Sequence, residues 1–238
     1  MSERFFVAPP VAGERAVLTG DEVRHLTAAM RGKVGDEIVV FDGSGGEFAA
    51  RVTAIGKQAV DLAILERREV SRELSFVLTL AVALPKGDRQ KWLVEKATEL
   101  GVTRLAPLVT ERGVAQPTEA ALDRLRRSVI EASKQCGRNR LMEIAPPLAA
   151  VDYFAAAPKT AARLIAEPGG QPLAAFGANS DPEVIAVIGP EGGFAPAEVA
   201  AAKNTGWQAV SLGSRILRVE TAAIALAAWA AIGRATSE

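Results

Sequence analysis

VIAVIGPEGGF, residues 184–194, is an apolar run that stops at Gly-Pro-Glu-Gly-Gly. Short continuous apolar runs mark strands buried on both faces, as in parallel sheets covered by helices. LGSRILRVETA, residues 212–222, repeats the pattern: a strand over Gln208 to Leu212 ends at Gly213. A third case lies upstream, where the apolar RLIA (163–166) leads into AEPGG (166–170). In an open parallel sheet, ligands bind just past the carboxyl ends of the strands. Glycine at those ends lets a ligand approach the backbone closely. Each corner taken alone reads as a plain turn. Three of them at strand ends could converge on one pocket. Neither GxGxxG nor GxxxxGK[ST] occurs, so a standard dinucleotide or triphosphate site is not expected.

Outward from these corners, strand and helix alternate. LSFVLTLAVAL (74–84) reads as a buried strand. A helix follows from Asp88, as N-cap, to Gly101, with Trp92, Leu93, Lys96, Ala97 and Leu100 at helical spacing. Next come a strand over 102–109 and a helix over 118–136, with Leu122, Leu125, Val129 and Ile130 as its apolar stripe. Strands over 161–166, 184–188 and 208–212 alternate with helices beginning at Pro196 and near Glu220, the latter running to Gly233. The pattern predicts an α/β domain with a mainly parallel sheet over 74–238. Residues 1–70 differ. Short apolar stretches over 15–18, 37–41, 47–54 and 59–64 alternate with Gly-rich turns, and FDGSGGEF (41–48) is a hairpin signal. This predicts a small β-barrel domain with one short helix over 21–30 and a charged linker over 66–73.

Composition bounds the rest. The 238 residues are 49% hydrophobic and 24% charged, which suits one or two globular domains. No apolar run reaches the roughly 18 residues of a membrane span, and the N-terminus lacks the apolar core of a signal peptide. One Cys and one His can form neither an intrachain disulfide nor a standard zinc site. These features point to a cytoplasmic protein without metal. The zero formal net charge does not by itself announce a nucleic-acid binder.

IGPEGGF and LGSRILRVETA resemble the C-terminal signature of the SPOUT methyltransferases. Together with RFF (4–6), HLTAAMR (25–31), PKGDRQKWLVEKATELGV (85–102) and KQCGRNR (134–140), they resemble the RsmE family, bacterial 16S ribosomal RNA (uracil-N3)-methyltransferases. The likeness covers essentially the whole chain in order; Ser214 stands where some members carry Pro. It implies a C-terminal trefoil knot near 161–233, a PUA-like or OB-like N-terminal barrel that helps bind RNA, and a homodimer with the active site near its interface. It also implies that the glycine corners cradle S-adenosylmethionine. Residues expected to hold the cofactor are Leu164, Ala166, Glu167, Ile188, Gly189, Pro190, Gly192, Gly193, Leu212, Gly213, Ile216, Leu217, Arg218, Thr221 and Ala222.

Methyl transfer to uracil N3 needs either a base for the imide proton or cationic donors that stabilise the anion through O2 and O4. Arg138, Arg140 and Arg218 fit the second task, since a guanidinium fork binds oxygens in pairs and stays charged. Asn139 could bond the base edge. Glu191 and Glu220 are base candidates; a turn residue and a helix N-terminal carboxylate are their plainer readings. Methylation at N3 needs no cysteine nucleophile, so Cys136 reads as packing at a helix end. From Arg124 to Arg140, six basic residues (Arg124, Arg126, Arg127, Lys134, Arg138, Arg140) stand against one acid, Glu131, a candidate phosphate-binding face. Alone, such a run reads as a solvated helix face. Arg4, His25, Arg31 and Lys33 could add RNA contacts from the barrel. Aromatics are only 5%, too few for a broad stacking platform. The expected partner is 16S ribosomal RNA in the small subunit. The alternatives are a methyltransferase aimed at a ribose 2′-O and a non-catalytic RNA-binding assembly factor.

Overall fold

The computed structural model describes residues 4–8, 10–115, 117–176 and 181–235. The chain divides into two units, Met1–Glu73 with Ile130–Leu141, and Leu74–Val129 with Met142–Glu238. Chain order alone places 130–141 with the second unit.

The first unit contains β1 (Arg4–Phe6), β2 (Arg15–Thr19), α1 (Asp21–Arg24), β3 (Glu37–Phe41), β4 (Glu47–Ile55) and β5 (Ala59–Arg68). α1 continues as one π-helical turn, His25–Ala29. The strands form a ladder β1-β3-β4-β5-β2, with β1 parallel to β3 and the other pairs antiparallel. FDGSGGEF is the β3–β4 hairpin, with Phe41 opposite Glu47. Alternate residues of these strands point to one side, the period-2 rule that makes a half-buried sheet. Phe5, Leu18, Val40, Phe48, Val52 and Leu62 meet there, closed by Val23 and Leu26 of the helical turn. The expected barrel thus takes the form of a five-stranded ladder on one core, with β1 and β2 at its ends.

The linker expected over 66–73 is shorter. β5 runs on to Arg68, where Arg67 and Arg68 pair with Phe48 and Glu47. Its charges mark an exposed strand rather than the end of one: Arg68 pairs with Glu66, both partly exposed.

The second unit contains β6 (Val77–Val82), α2 (Arg89–Glu99), β7 (Arg104–Val109), α3 (Glu119–Cys136, of which the residues from Ile130 on belong to the first unit), β8 (Glu143–Ile144), β9 (Leu148–Ala149), α4 (Ala150–Ala156), β10 (Ala162–Pro172), β11 (Glu183–Ile188), α5 (Pro196–Asn204), β12 (Gln208–Ser211) and α6 (Val219–Ala235). The strands run in the order β12-β10-β11-β6-β7-β8, with β9 also against β7. Every pairing is parallel, as the alternation predicts. Ala81, Ile165, Ile185 and Val187 face a core with Phe154, Phe194, Ala202 and Trp207 of the α4–α5 side. The intervening Leu78, Leu80, Val184 and Ala186 are also buried, on the face where α6 meets β6 and β11. α4 has no counterpart in the sequence pattern. Its Ala-rich run is anchored by Phe154, which is fully buried, and by Tyr153, packed against the same core.

β10 carries an irregularity at AEPGG. Ala166 and Gln171 both face Val210, so Glu167 to Gly170 are looped out of register. The corner requires glycine at its last position. A Cβ on Gly170 would lie 2.5 Å from the carbonyl carbon of Ala209 and the amide nitrogen of Val210. Gly170→Ala should therefore destabilise the protein by about 1–3 kcal/mol, measured by urea unfolding. An unchanged midpoint would show that the corner yields.

Candidate functional site

β12, β10 and β11 are neighbours, and all three end on the same side of the sheet. Their trailing loops enclose a cavity of about 460 Å³. Its walls are Ala166, Glu167 and Pro168 at the looped-out corner of β10, Ile188 to Phe194 from the last residue of β11 into its loop, and Leu212 to Leu217 after β12, with Val210, Arg112 and the start of α6 at Val219 and Ala222. The convergence of glycine corners read from the sequence is thus found in the fold. The lining mixes apolar side chains (Ile188, Phe194, Val210, Leu212, Ile216, Leu217) with main-chain groups and a few charges. That suits an organic ligand with a flat apolar part and polar edges. Ile216 is 94% exposed, an apolar side chain in the mouth of a cavity.

Two of the corner glycines have separate reasons. Gly193 has φ +70°, where a side chain is strained. Gly192 is less demanding, since a Cβ there would meet the Arg112 side chain at 3.6 Å, ordinary contact. Arg112 donates from Nη1 to the Gly192 carbonyl at 3.1 Å. Below the loop, Glu198 of α5 accepts from the amides of Ala195 at 2.7 Å and Glu111 at 2.9 Å.

Twelve of the fifteen residues expected to hold a cofactor line the cavity. Leu164, Arg218 and Thr221 do not. Leu164 is buried inside β10, while Arg218 and Thr221 are exposed near the start of α6. Sequence position alone does not separate them from their lining neighbours, because facing depends on the local turn of the chain. Glu191 lines the cavity and Glu220 does not. Both pair with Arg89 of α2, at 3.2 Å and 3.6 Å. Arg89 was not singled out from the sequence. Its one signal is a cation at the first turn of a helix, where carboxylates are favoured.

Arg138, Asn139 and Arg140 belong to the first unit, and the side chains of the first two are buried. Arg138 is buried and grips Glu73 with two nitrogens, Nε at 3.1 Å and Nη2 at 2.5 Å. Asn139 is buried too. Its amide nitrogen donates to the Val70 carbonyl at 2.8 Å, and its oxygen accepts from Arg4 at 2.6 Å. Both side chains are committed to holding the segment. Arg140 is exposed, with its backbone bridged to Gly43 and Ser44 of the β3–β4 turn.

Some members of the basic cluster are paired with acids, and others stay exposed. Lys134 is nearly buried and donates to Glu22 at 2.9 Å, with His25 Nδ1 at 3.3 Å. Arg126 pairs with Glu119 and Asp123, acids just before the window read from the sequence. Arg4 pairs with Glu47 at 2.5 Å. Arg124, Arg127, Arg31 and Lys33 remain exposed, and His25 is half-buried against Phe5. Cys136 is partly buried at the end of α3, as its packing role implies. Among the described residues no group of three or more His, Cys, Asp or Glu side chains could hold a metal.

Burial alone would raise the Glu47 carboxyl, but Arg4 and Arg72 more than offset it and hold its pKa below the ordinary 4.5. For Glu22 burial wins over Lys134 and pushes the carboxyl up.

With this geometry, comparison places the chain. Residues 72–231 match the model of an RNA methyltransferase domain, and residues 18–65 match an RNA methyltransferase PUA domain. The chain is 37% identical to the ribosomal RNA small subunit methyltransferase E of Synechocystis, over 93% of this chain and 75% of that protein. It belongs to the ribosomal RNA small subunit methyltransferase E family. A Bacillus subtilis member is 30% identical, over 86% of this chain and 85% of its own length. The Neisseria gonorrhoeae member, solved bound to S-adenosylmethionine, superposes with a TM-score of 0.88 at 31% identity and covers 96% of each chain. The family match spans both units, including the stretches that carry the glycine corners.

Breaking the buried Arg138–Glu73 pair by Arg138→Ala should cost about 3–5 kcal/mol in urea unfolding, whereas Arg140→Ala should change stability by less than about 0.5 kcal/mol. Equal effects would mean that the buried arginine is no more structural than the exposed one. Glu47 has its own signature. Its folded pKa is depressed, so its pairing stabilises the fold above pH 4.5, and that stabilisation is lost as the pH falls through the folded value. Glu47→Gln should flatten the acid side of the stability–pH curve; a curve of unchanged slope would contradict the assignment.

Proposed function

We propose that this chain methylates N3 of a uridine in 16S ribosomal RNA of the small subunit, with S-adenosylmethionine as the methyl donor. The observation that carries it is the cavity where three glycine-bearing strand ends meet, in a chain of this family. The residues suit the cofactor. The apolar wall of Ile188, Leu212, Ile216 and Leu217 can take a purine face, and the main chain at Gly189, Gly193 and Gly213 can approach the ligand closely. The cofactor, when bound, supplies an activated methyl group; position and electrostatics come from the protein. Ala166, Glu167, Pro190, Gly192 and Ala222 complete the proposed contacts.

The chain's part is to bind RNA, orient one uracil and accommodate loss of its N3 proton. Exposed Arg31, Lys33, Arg124, Arg127 and Arg140 are the cations offered to RNA, and Arg140 and Arg218 those offered to the uracil oxygens. Glu191 and Glu220 are held by Arg89, so their negative charge is already matched. That favours cationic stabilisation of the uracil over a free carboxylate base. A trefoil knot over 161–233, a homodimer and a cytoplasmic location complete the reading. Residues 177–180 of the knot span lie outside the described residues. The knot rests on family resemblance. Ile232 of α6, 64% exposed, and Trp92 of α2, 43% exposed, support a partner subunit. Among the described residues no helix is long and apolar enough to cross a membrane.

The test is methyl transfer from labelled S-adenosylmethionine to small subunits from a strain lacking this modification, followed by nucleoside identification. Label in 3-methyluridine is expected. Label in a 2′-O-methylated nucleoside would move the target to ribose. Cofactor binding with no transfer to any ribosomal RNA would leave a binding module. Gly193→Val, strained at its positive φ, should abolish cofactor binding while urea unfolding stays cooperative. Binding at wild-type affinity would take that loop out of the site.

A further inference from the structure

Arg89 occupies the first position of α2, where the helix macrodipole disfavours a cation. No acid stands in that first turn, and Asp88 makes no capping hydrogen bond. The compensating charges come from two other elements. Nη2 donates to Glu191 Oε1 at 3.2 Å, and Nη1 lies 3.6 Å from Glu220 Oε2. Glu191 lies in the loop after β11 and lines the cavity. Glu220 lies in the first turn of α6, between the lining residues Val219 and Ala222. Its side chain is only 9% exposed, and Oε2 has no hydrogen-bond partner among the described residues. Arg89 is therefore the charge that makes this buried carboxylate tolerable, because an unpaired buried charge is costly. The same loop is held from another side by Arg112 at the Gly192 carbonyl.

We infer that Arg89 is a positioning residue for the cofactor cavity. By gripping Glu191 and Glu220 together, it sets the spacing between the glycine loop after β11 and the N-terminal turn of α6. That spacing in turn sets the affinity for S-adenosylmethionine. The inference rests on the reading that the cavity takes this cofactor. A lysine could not replace the arginine in full. The guanidinium fork presents separate donors to two carboxylates, whereas an ammonium is one point charge.

The experiment uses the full chain as wild type, Arg89→Gln and Arg89→Lys. Two quantities are read: S-adenosylmethionine affinity by calorimetry, and amide hydrogen exchange of the protein without cofactor. Arg89→Gln should weaken affinity by about tenfold, the loss of a charge-assisted contact, and Arg89→Lys should recover part of it. Exchange should quicken over 190–194 and 219–223, while the strands of the sheet stay protected. In an Arg89→Gln background, Glu191→Gln should cost little further, because the two residues act as one unit. Affinity within about twofold of wild type in Arg89→Gln overturns the inference. So does quickened exchange spread throughout the second unit, which would mean general destabilisation. A wild-type chain that does not bind S-adenosylmethionine fails the cofactor reading and removes the affinity half of the inference; the exchange comparison then still decides whether Arg89 holds the two segments.

Discussion

Parallel pairing of β12, β10 and β11 is the constraint on which the cavity depends. Parallel strands that neighbour one another end on the same edge of their sheet. Three loops far apart in sequence are thereby brought side by side. Close packing then sets what those loops can be. Gly170 lies against the backbone of β12 with no room for a methyl group, and a Cβ on Gly189 would meet the Phe194 ring at 2.9 Å. The glycines of the three corners thus differ in kind. Gly170 and Gly189 admit neighbouring protein atoms, whereas Gly193 and Gly213, at φ +70° and +108°, adopt a positive-φ backbone with open space around them.

The first unit is organised by buried charge. Arg4, Glu47, Arg72, Glu73 and Arg138 surround the segment 137–140, with Asn139 joined to Arg4 and to the Val70 carbonyl. Arg72 also donates to the Gly137 carbonyl at 2.9 Å. Removing one partner from such a network leaves another charge desolvated, so it specifies one arrangement of the loop. The consequence is selective display. Of the three polar residues in RNR, two are turned inward and Arg140 alone is exposed. A run of basic residues in sequence therefore overstates the positive surface. Lys134 and Arg126 are neutralised by acids close in space.

Much of the fold was legible because apolar periodicity reports burial directly. β3 and α3 match their expected spans to within a residue, Pro196 opens α5 as its fixed φ allows, and VIAVI is a central strand buried on both faces. The elements that escaped are short or lack a pattern. α4 is Ala-rich around Tyr153 and Phe154, and β8 and β9 have two residues each. The end of β5 was hidden because an exposed strand carries the same charges as a linker.

The sequence by itself determined the alternation of strand and helix, the glycine corners at the ends of β11 and β12, and family membership, whereas the AEPGG corner proved to be a looped-out irregularity within β10. These are local or collinear properties, written in spacing and order. Which side chains face the cavity, which arginines are spent on buried carboxylates, and that Arg89 meets both Glu191 and Glu220 were decided only by the tertiary structure. Such pairs are separated by up to 131 residues, Arg89 to Glu220, and no local pattern encodes them. Burial and charge pairing arise when distant segments pack, and the same residue type reads as a solvated cation or an internal strut according to what packing places beside it.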